Sequence, residues 1–184
     1  MKWVHFPLHP ETPAEGQSLE ELFRGRRVDI QAMHARMQSL MNAEGLPYGP
    51  RTRTYNSRLA QELGKWADTE WGAGAIHDAL FRAYFVQDLN IANDSVLVDI
   101  AVSVGLPAAD AKRVLEERRF KEAVDADWAK SRAYGVTGVP TFVLGGQRVV
   151  GAQSYAALEQ FVRQQGAQPK PVDDRERRSR LHEA

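Results

Sequence analysis

Side chains that could carry acid–base, nucleophilic or metal-binding chemistry are scattered along this chain rather than grouped. His5 and His9 have the four-residue spacing of a helical metal pair, but Pro7 lies between them and prevents one helix from presenting both. For the other candidates, surface, core or helix-capping roles are favoured: Glu20-Glu21, Glu116-Glu117, His34, His77, Ser57 and Ser154. The sequence therefore predicts neither a catalytic residue nor a metal site.

The composition of the chain excludes several kinds of site and partner. The 184 residues include no cysteine, which excludes disulfides, thiolate catalysis and cysteine metal sites within this polypeptide. The 24 basic and 24 acidic residues balance, so no overall field attracts nucleic acid. There is no apolar run of roughly 18 residues, and the first residues lack the features of a secretory signal. We expect a cytoplasmic protein with neither nucleic acid nor a membrane as partner.

The run Thr137-Gly138-Val139-Pro140 leads into the most informative pattern of the chain. Residues 141–144 are β-branched, aromatic and aliphatic, and residues 147–150 can form the returning strand. Gly145-Gly146 between them can take the positive φ angles of a two-residue turn. Pro140 precedes the first strand, where its missing N–H removes no ladder bond. Since only about one X–Pro bond in twenty is cis, the pattern alone favours a trans proline.

The rest of the chain is predicted to be mostly helical. Trp3–Phe6 alternates large and polar side chains and is predicted to form a short strand. Helices are predicted from Gly, Pro, capping residues and apolar spacing: 18–24, Asp29 to Gly45, Asn56 or Ser57 through Trp66, 73–89, Asn93 or Asp94 to Gly105, Pro107 through Leu115, 119–134, and Ser154 to Gly166.

Two of these helices have notable apolar patterns. Met33, Met37 and Met41 form a stripe with Ile30 and Leu40, for which core packing is favoured over a flexible binding groove. The helix over 73–89 is apolar around most of its circumference, which predicts burial on more than one side. Residues 167–184 are polar and lack a periodic apolar face, which predicts a disordered tail.

The run from Gly135 to Phe142, together with Gly151-Ala152-Gln153, resembles the cis-proline loop and last hairpin of DsbA-like thioredoxin-fold proteins, especially the FrnE-type branch. The resemblance covers about Trp3 to Arg163. It implies an α/β, thioredoxin-like fold with a large helical insertion, and a cis bond before Pro140. It also implies substrate binding by Thr137, Gly138, Val139 and Pro140, where the Val139 backbone pairs with the substrate. The implied partner is a thiol- or disulfide-containing protein or a small thiol such as glutathione, and no cofactor is expected.

The same resemblance assigns domains and points to a gap. Residues 1–17 and 135–166 correspond to an incomplete thioredoxin-like part, and residues 18–134 to the insertion. In the family, a first strand, a Cys-x-x-Cys turn and a helix come before the strand that Trp3–Phe6 resembles, and this unit is absent. Its loss would leave open sheet edges. We therefore expect Met1 to be a miscalled start or a truncation, which the upstream reading frame would test.

Three functions follow from the resemblance. The leading one is a DsbA-family, FrnE-like thiol–disulfide oxidoreductase, in a truncated or redox-incompetent form. The second is a glutathione-dependent isomerase or transferase related to 2-hydroxychromene-2-carboxylate isomerase and kappa-class transferases. Those relatives typically have Asp-Arg near the position of Ala152-Gln153. This difference reduces the support for an isomerase or transferase. The third is a non-catalytic peptide- or thiol-binding module, which explains the missing cysteines without a truncation.

Overall fold

A computed structural model describes residues 2–70 and 73–168. The chain divides into two units, Met1–Ala133 and Tyr134–Ala184, here called the N-terminal unit and the hairpin unit. The prediction of a disordered tail lies outside the described residues, apart from positions 167 and 168. In chain order the elements are β1 Gln17–Ser18, α1 Leu19–Leu22, α2 Ile30–Ala43, β2 Arg53–Thr54, α3 Arg58–Ala67, a 3₁₀ turn Ala73–Ala75, α4 Ile76–Phe85, α5 Asp94–Ser103, α6 Ala108–Glu116, α7 Lys121–Ala133, β3 Thr141–Leu144, β4 Gln147–Val150 and α8 Tyr155–Gln164.

The core of the N-terminal unit is formed mainly by α3, α5 and α6. Their apolar residues recur at three- and four-residue spacing, so each helix presents one continuous stripe to its neighbours. Leu63 on α3, Leu97 on α5 and Val114 on α6 are fully buried at the centre of this cluster. The inward positions predicted for α5 and α6 are therefore confirmed, including Ala101 and Leu115.

Local capping signals are confirmed at several helix starts. The Ser18 hydroxyl accepts from the Glu21 N–H at 3.1 Å, and the Glu21 carboxylate accepts from the Ser18 N–H at 2.8 Å, which completes a capping box. Asp29 accepts from the Ala32 N–H at 3.0 Å, and Asn93 accepts from the Ser95 N–H at 2.9 Å. These caps depend on residues within one turn, which is why the sequence predicts them well.

The strand predicted at Trp3–Phe6 is wrong for the described residues 2–6. A strand needs a neighbouring backbone, and here side chains and a turn satisfy the same groups instead. The His5 N–H donates to the Asp127 carboxylate at 2.9 Å, and the Phe6 carbonyl accepts from the Leu8 N–H at 3.1 Å. The first strand in this part of the chain is β1, which pairs antiparallel with β2.

Two predictions of helix burial are also wrong. Within the described helix α2, none of the side chains is buried, and Met37 and Leu40 are 40% and 51% exposed. On α4 only Ile76 and Ala83 are buried, while Phe81 is 55% exposed. Amphipathic spacing indicates which side of a helix is apolar, but it does not show whether another element covers that side. Part of the apolar surface of both helices is left exposed.

A buried carboxylate joins α3 to the turn between α6 and α7 in the N-terminal unit. Glu62 on α3 is 1% exposed and accepts from the Arg58 Nε at 2.6 Å and from the Arg118 Nε and Nη2 at 2.8 and 2.7 Å. Arg58 also contacts Asp125 at 2.8 Å and lies over the Trp128 ring. Burial opposes ionisation of Glu62, but hydrogen bonds from both arginines outweigh it and lower the pKa of this carboxyl group.

The environment of His5 predicts that the stability of the N-terminal unit depends on pH. Burial, together with the nearby Lys65 ammonium, lowers the pKa of His5 to about 4; Asp127 and Asp68 oppose this shift, and His77 adds to it. The unfolded chain therefore binds more protons than the folded one between pH 6.5 and 4. We expect the free energy of unfolding to have its full value above pH 6.5. It should fall by at most about 3 kcal/mol as the pH drops to 4.

Urea unfolding at a series of pH values measures this effect. The variant His5→Asn keeps the backbone N–H that binds Asp127 but removes the titrating ring. Its stability is expected to change less between pH 6.5 and 4 than that of the parent chain. Parallel pH profiles for the two proteins would contradict the assignment to His5.

No described helix combines the length and the apolar content of a transmembrane span.

Candidate substrate-binding loop

The hairpin of β3 and β4 forms as the sequence predicts. Leu144 pairs with Gln147 across the turn, and the register continues to Thr141 opposite Val150. Gly145 and Gly146 have φ angles of 57° and 77°, a conformation that glycine adopts without a steric penalty. The hairpin therefore fixes the position at which the preceding loop enters the sheet.

The loop over residues 137–140 is held to the hairpin by two short hydrogen bonds. The Gly151 N–H donates to the Pro140 carbonyl at 2.8 Å, which extends the ladder by one rung beyond β3. The Thr141 hydroxyl donates to the Gly138 carbonyl at 2.6 Å and closes the loop on itself. The Val139–Pro140 peptide bond is cis.

The start of the loop is anchored by an arginine that sequence inspection missed. Arg148 of β4 donates from Nη1 to the Tyr134 carbonyl at 2.9 Å. Gly135 has a φ angle of 63°, and a Cβ atom there would lie 2.7 Å from the same Nη1. The sequence signal for this contact is a glycine with an arginine about a dozen residues later in the returning strand. It indicates a contact only when the hairpin register is known.

The end of the hairpin is closed in a comparable way. Gly151 follows β4 with a φ angle of 88°, and the Gln153 side chain donates to the Val150 carbonyl at 2.9 Å. The Ser154 hydroxyl then accepts from the Ala157 N–H at 3.3 Å and caps α8, as predicted. Phe161 is the buried residue of this helix.

The four predicted site residues lie together at the surface of the hairpin unit. Thr137, Val139 and Pro140 are exposed, Gly138 is half-buried, and Val139 is 52% exposed. An exposed valine beside a proline presents an apolar side chain together with its backbone groups. The loop can therefore contact a ligand through both main-chain polar groups and a small apolar surface.

The loop lies at the end of an open sheet edge. The two-residue turn makes Leu144 and Gln147 a hydrogen-bonded pair, so the next such pair is Phe142 with Val149. The N–H and C=O groups of Thr141 and Val143 consequently point away from β4. In the described part of the chain, β3 pairs with β4 alone. Such an edge can accept an added strand.

The loop supplies no titratable side chain for proton transfer. Residues 135–142 read Gly-Val-Thr-Gly-Val-Pro-Thr-Phe and contain no titratable side chain. Among residues 2–70 and 73–168, no group of three or more metal-ligating side chains could hold an ion. The arrangement provides main-chain hydrogen-bonding groups and apolar contact.

Comparisons with known proteins give this geometry a family context. The uncharacterized protein YwbO from Bacillus subtilis (strain 168) is 33% identical over 86 residues, or 45% of this chain and 42% of YwbO. The chain thus matches less than half the length of this relative. The crystal structure of SCO1869, a probable DsbA oxidoreductase from Streptomyces coelicolor, superposes with a TM-score of 0.77 at 27% identity, covering 90% of this chain and 75% of SCO1869.

A more distant solved structure shares the fold alone. 2-Hydroxychromene-2-carboxylate isomerase superposes with a TM-score of 0.64 at 20% identity and covers 73% of this chain and 66% of its own. The family model of the DSBA-like thioredoxin domain matches residues 1–163, which is most of the chain. The family model and the SCO1869 structure agree with the thioredoxin-like fold expected from the sequence. The chain belongs to the DSBA-like thioredoxin domain family.

Proposed function

We propose that this chain acts as the substrate-binding part of a FrnE-type thiol–disulfide oxidoreductase. Thr137, Gly138, Val139 and Pro140 form the binding loop, and the substrate lies along the outer edge of β3. The observation that carries this proposal is the exposed Val139 at the end of the outer edge of β3, which no strand pairs in the part of the chain that the structure describes. Family membership supports it, since the chain shares the DSBA-like domain over residues 1–163.

The expected ligand is an extended segment of a thiol- or disulfide-containing protein, or a small thiol such as glutathione. An extended segment can exchange main-chain hydrogen bonds with Val139, Thr141 and Val143, each contributing a net 0.5–1.5 kcal/mol, as a rough estimate. The Val139 side chain adds apolar contact next to these bonds. Such binding depends little on the substrate's sequence, because its main component is backbone pairing.

The polypeptide on its own is redox-incompetent in this proposal. Thiol–disulfide exchange begins with attack of a thiolate on a disulfide sulfur, and the 184 residues supply no cysteine. The thiols that exchange must therefore come from outside this sequence. The isomerase alternative has less support, because the uncharged Gln153 uses its amide to close the turn after Val150.

The proposal also keeps two expectations from the sequence. Residues 1–17 and 135–166 are assigned to the thioredoxin-like part and residues 18–134 to the insertion. Limited proteolysis followed by mass spectrometry tests this assignment. The protein is assigned to the cytoplasm, which cell fractionation tests.

A binding assay with an unfolded peptide tests the proposed function. The probe is fluorescently labelled insulin B chain whose cysteines have been reduced and carboxymethylated, titrated with the chain and followed by anisotropy. The variant Val139→Asp is expected to bind about tenfold more weakly, because it replaces an exposed apolar contact with a hydrated charge.

The matched control is Val102→Asp. Val102 lies on α5 and is 49% exposed, close to the exposure of Val139, but it is remote from the loop in sequence and lies in the N-terminal unit. Its affinity for the peptide should equal that of the parent chain. Equal losses in both variants, or no binding by the parent chain, would overturn the proposal.

A further inference from the structure

The segment over residues 2–8, here called the N-terminal strap, lies on the N-terminal unit without joining its core. Residues 2–8 form neither a helix nor a strand. The described residues of the helical core cluster all come from later in the chain, and none belongs to the strap. Trp3 and Leu8 are 59% and 49% exposed. Detaching the strap would therefore leave the packing of the helices intact.

A small set of polar contacts around His5 holds the strap. The His5 N–H donates to Asp127 Oδ2 at 2.9 Å, and the same oxygen accepts from Lys65 Nζ at 2.7 Å. The Phe6 carbonyl accepts from Gln61 Nε2 at 3.4 Å. Each such bond contributes little net free energy, because it replaces a bond to water. A segment with so few contacts opens more readily than the helices beneath it.

A second histidine packs against the strap from α4. The His77 ring stacks on Trp3 with 6.5 Å between the ring centroids, and His77 Nε2 lies 2.7 Å from Asp68 Oδ1 at the end of α3. The buried Gly64 of α3 leaves space for this approach, because a Cβ atom there would lie 3.1 Å from His77 Cε1 and 4.0 Å from His5 Nε2. The two imidazole rings therefore meet over one glycine.

Docking of the strap favours the neutral form of the His5 ring. Burial and the Lys65 ammonium of α3 lower the pKa of His5 to about 4, and His77 of α4 acts in the same direction. Asp127 of α7 and Asp68 at the end of α3 oppose the shift. A detached strap exposes the ring to water, where its ordinary pKa of 6.5 applies. Lowering the pH from 6.5 to 4 therefore shifts the equilibrium toward the detached strap.

We propose that the N-terminal strap is an acid-responsive latch that detaches from α3, α4 and α7 while the rest of the N-terminal unit stays folded. Detachment separates Trp3 from His77 and uncovers the ion pair of Lys65 and Asp127, whose side chains are 16% and 10% exposed in the docked state. At neutral pH the latch is closed. Acid thus opens one segment before it unfolds the unit.

Amide hydrogen exchange of the ¹⁵N-labelled chain, corrected for the intrinsic pH dependence of exchange, tests the latch. The protection of the His5 amide, which donates to Asp127, is expected to fall by about a hundredfold between pH 7.5 and 4, as follows from the two pKa values of the ring. Low, non-denaturing urea should leave this exchange unchanged, because a detaching strap exposes little new surface. Exchange of the most protected amides of α3 and α5 should instead accelerate with urea, because it requires unfolding of the unit.

Two histidine variants assign the effect. His5→Asn keeps the backbone N–H and removes the titrating ring, so the protection of residue 5 should stay constant over this pH range. His9→Asn is the matched control: this neighbouring ring lies 3.8 Å from Glu11, and its removal should leave the pH dependence of the His5 amide unchanged. Equal pH dependence in His5→Asn and the parent chain would overturn the latch. Exchange of the His5 amide that accelerates with urea in step with α3 and α5 would also overturn it. Neither result depends on the proposed function of the hairpin unit.

Discussion

Replacing Glu62 with glutamine is expected to lower the free energy of unfolding of the N-terminal unit by about 3 kcal/mol. Glu62 is buried and receives hydrogen bonds from Arg58 and from both prongs of Arg118. Glutamine keeps the shape but removes the charge, so the arginines lose the partner that compensates their desolvation. The estimate is at the lower end for a buried pair because the Arg118 side chain remains partly exposed.

Urea unfolding monitored by far-ultraviolet circular dichroism measures this loss. The matched control is Glu116→Gln, which removes a carboxylate from an exposed pair with Lys112 at 3.7 Å. Surface pairs contribute from about 0 to 1 kcal/mol, so this control should change stability very little. A loss below about 1 kcal/mol in Glu62→Gln would show that the arginine cluster does not hold the unit together.

The second large effect is a complete absence of redox turnover by the chain alone. In the reduction of insulin by dithiothreitol, we expect the 184-residue polypeptide to give the same rate of precipitation as buffer. A catalyst in this assay must pass through a mixed disulfide with its own sulfur, and the chain has no cysteine. In the proposed function the loop over residues 137–140 binds insulin chains, but without a cysteine it cannot exchange their disulfides.

Two samples make this result interpretable. A heat-inactivated preparation of the same chain gives the background rate, and an active dithiol oxidoreductase shows that the assay responds. A rate from the native chain that clearly exceeds its heat-inactivated control would contradict the claim that these residues lack a redox group. The assay measures disulfide reduction and not peptide binding. Its outcome therefore does not affect the interpretation of the binding test with Val139→Asp.

The elements that sequence inspection predicted correctly are those specified by nearby residues. The hairpin follows from a β-branched run interrupted by Gly145-Gly146, and its register is set by the two-residue turn. The caps at Ser18 and Asn93 depend on side chains that reach two or three residues along the chain. Such signals need no knowledge of the rest of the fold.

The predictions that are wrong required a distant partner. Alternation at Trp3–Phe6 is typical of a strand, but the His5 N–H binds the carboxylate of Asp127, more than a hundred residues away. The stripe of α2 and the exposed Phe81 have the spacing of core residues, yet the spacing does not name a covering element. Tertiary context decided all three cases.

The substrate-binding role of residues 137–140 stays a prediction, whereas the contacts that hold this loop can be compared with the sequence. Its four residues were singled out by resemblance, and they do lie together at the end of β3. The contacts that hold them were not foreseen, because Arg148 to Tyr134 and Gly151 to Pro140 join residues that only the hairpin register brings together. Glu62 was also missed, although Arg58 four residues before it on an apolar helix face was a usable sign.

The most direct test of the account is a map of where an unfolded peptide binds. The ¹⁵N-labelled chain is titrated with unlabelled, carboxymethylated insulin B chain, and the amide shifts are followed by two-dimensional NMR. The account predicts that the largest shifts occur at residues 137–139 and at the edge amides of Thr141 and Val143, with Val139→Asp reducing them. Shifts confined to residues 2–133, or an unchanged loop at saturating peptide, would contradict the assignment of substrate binding to this loop.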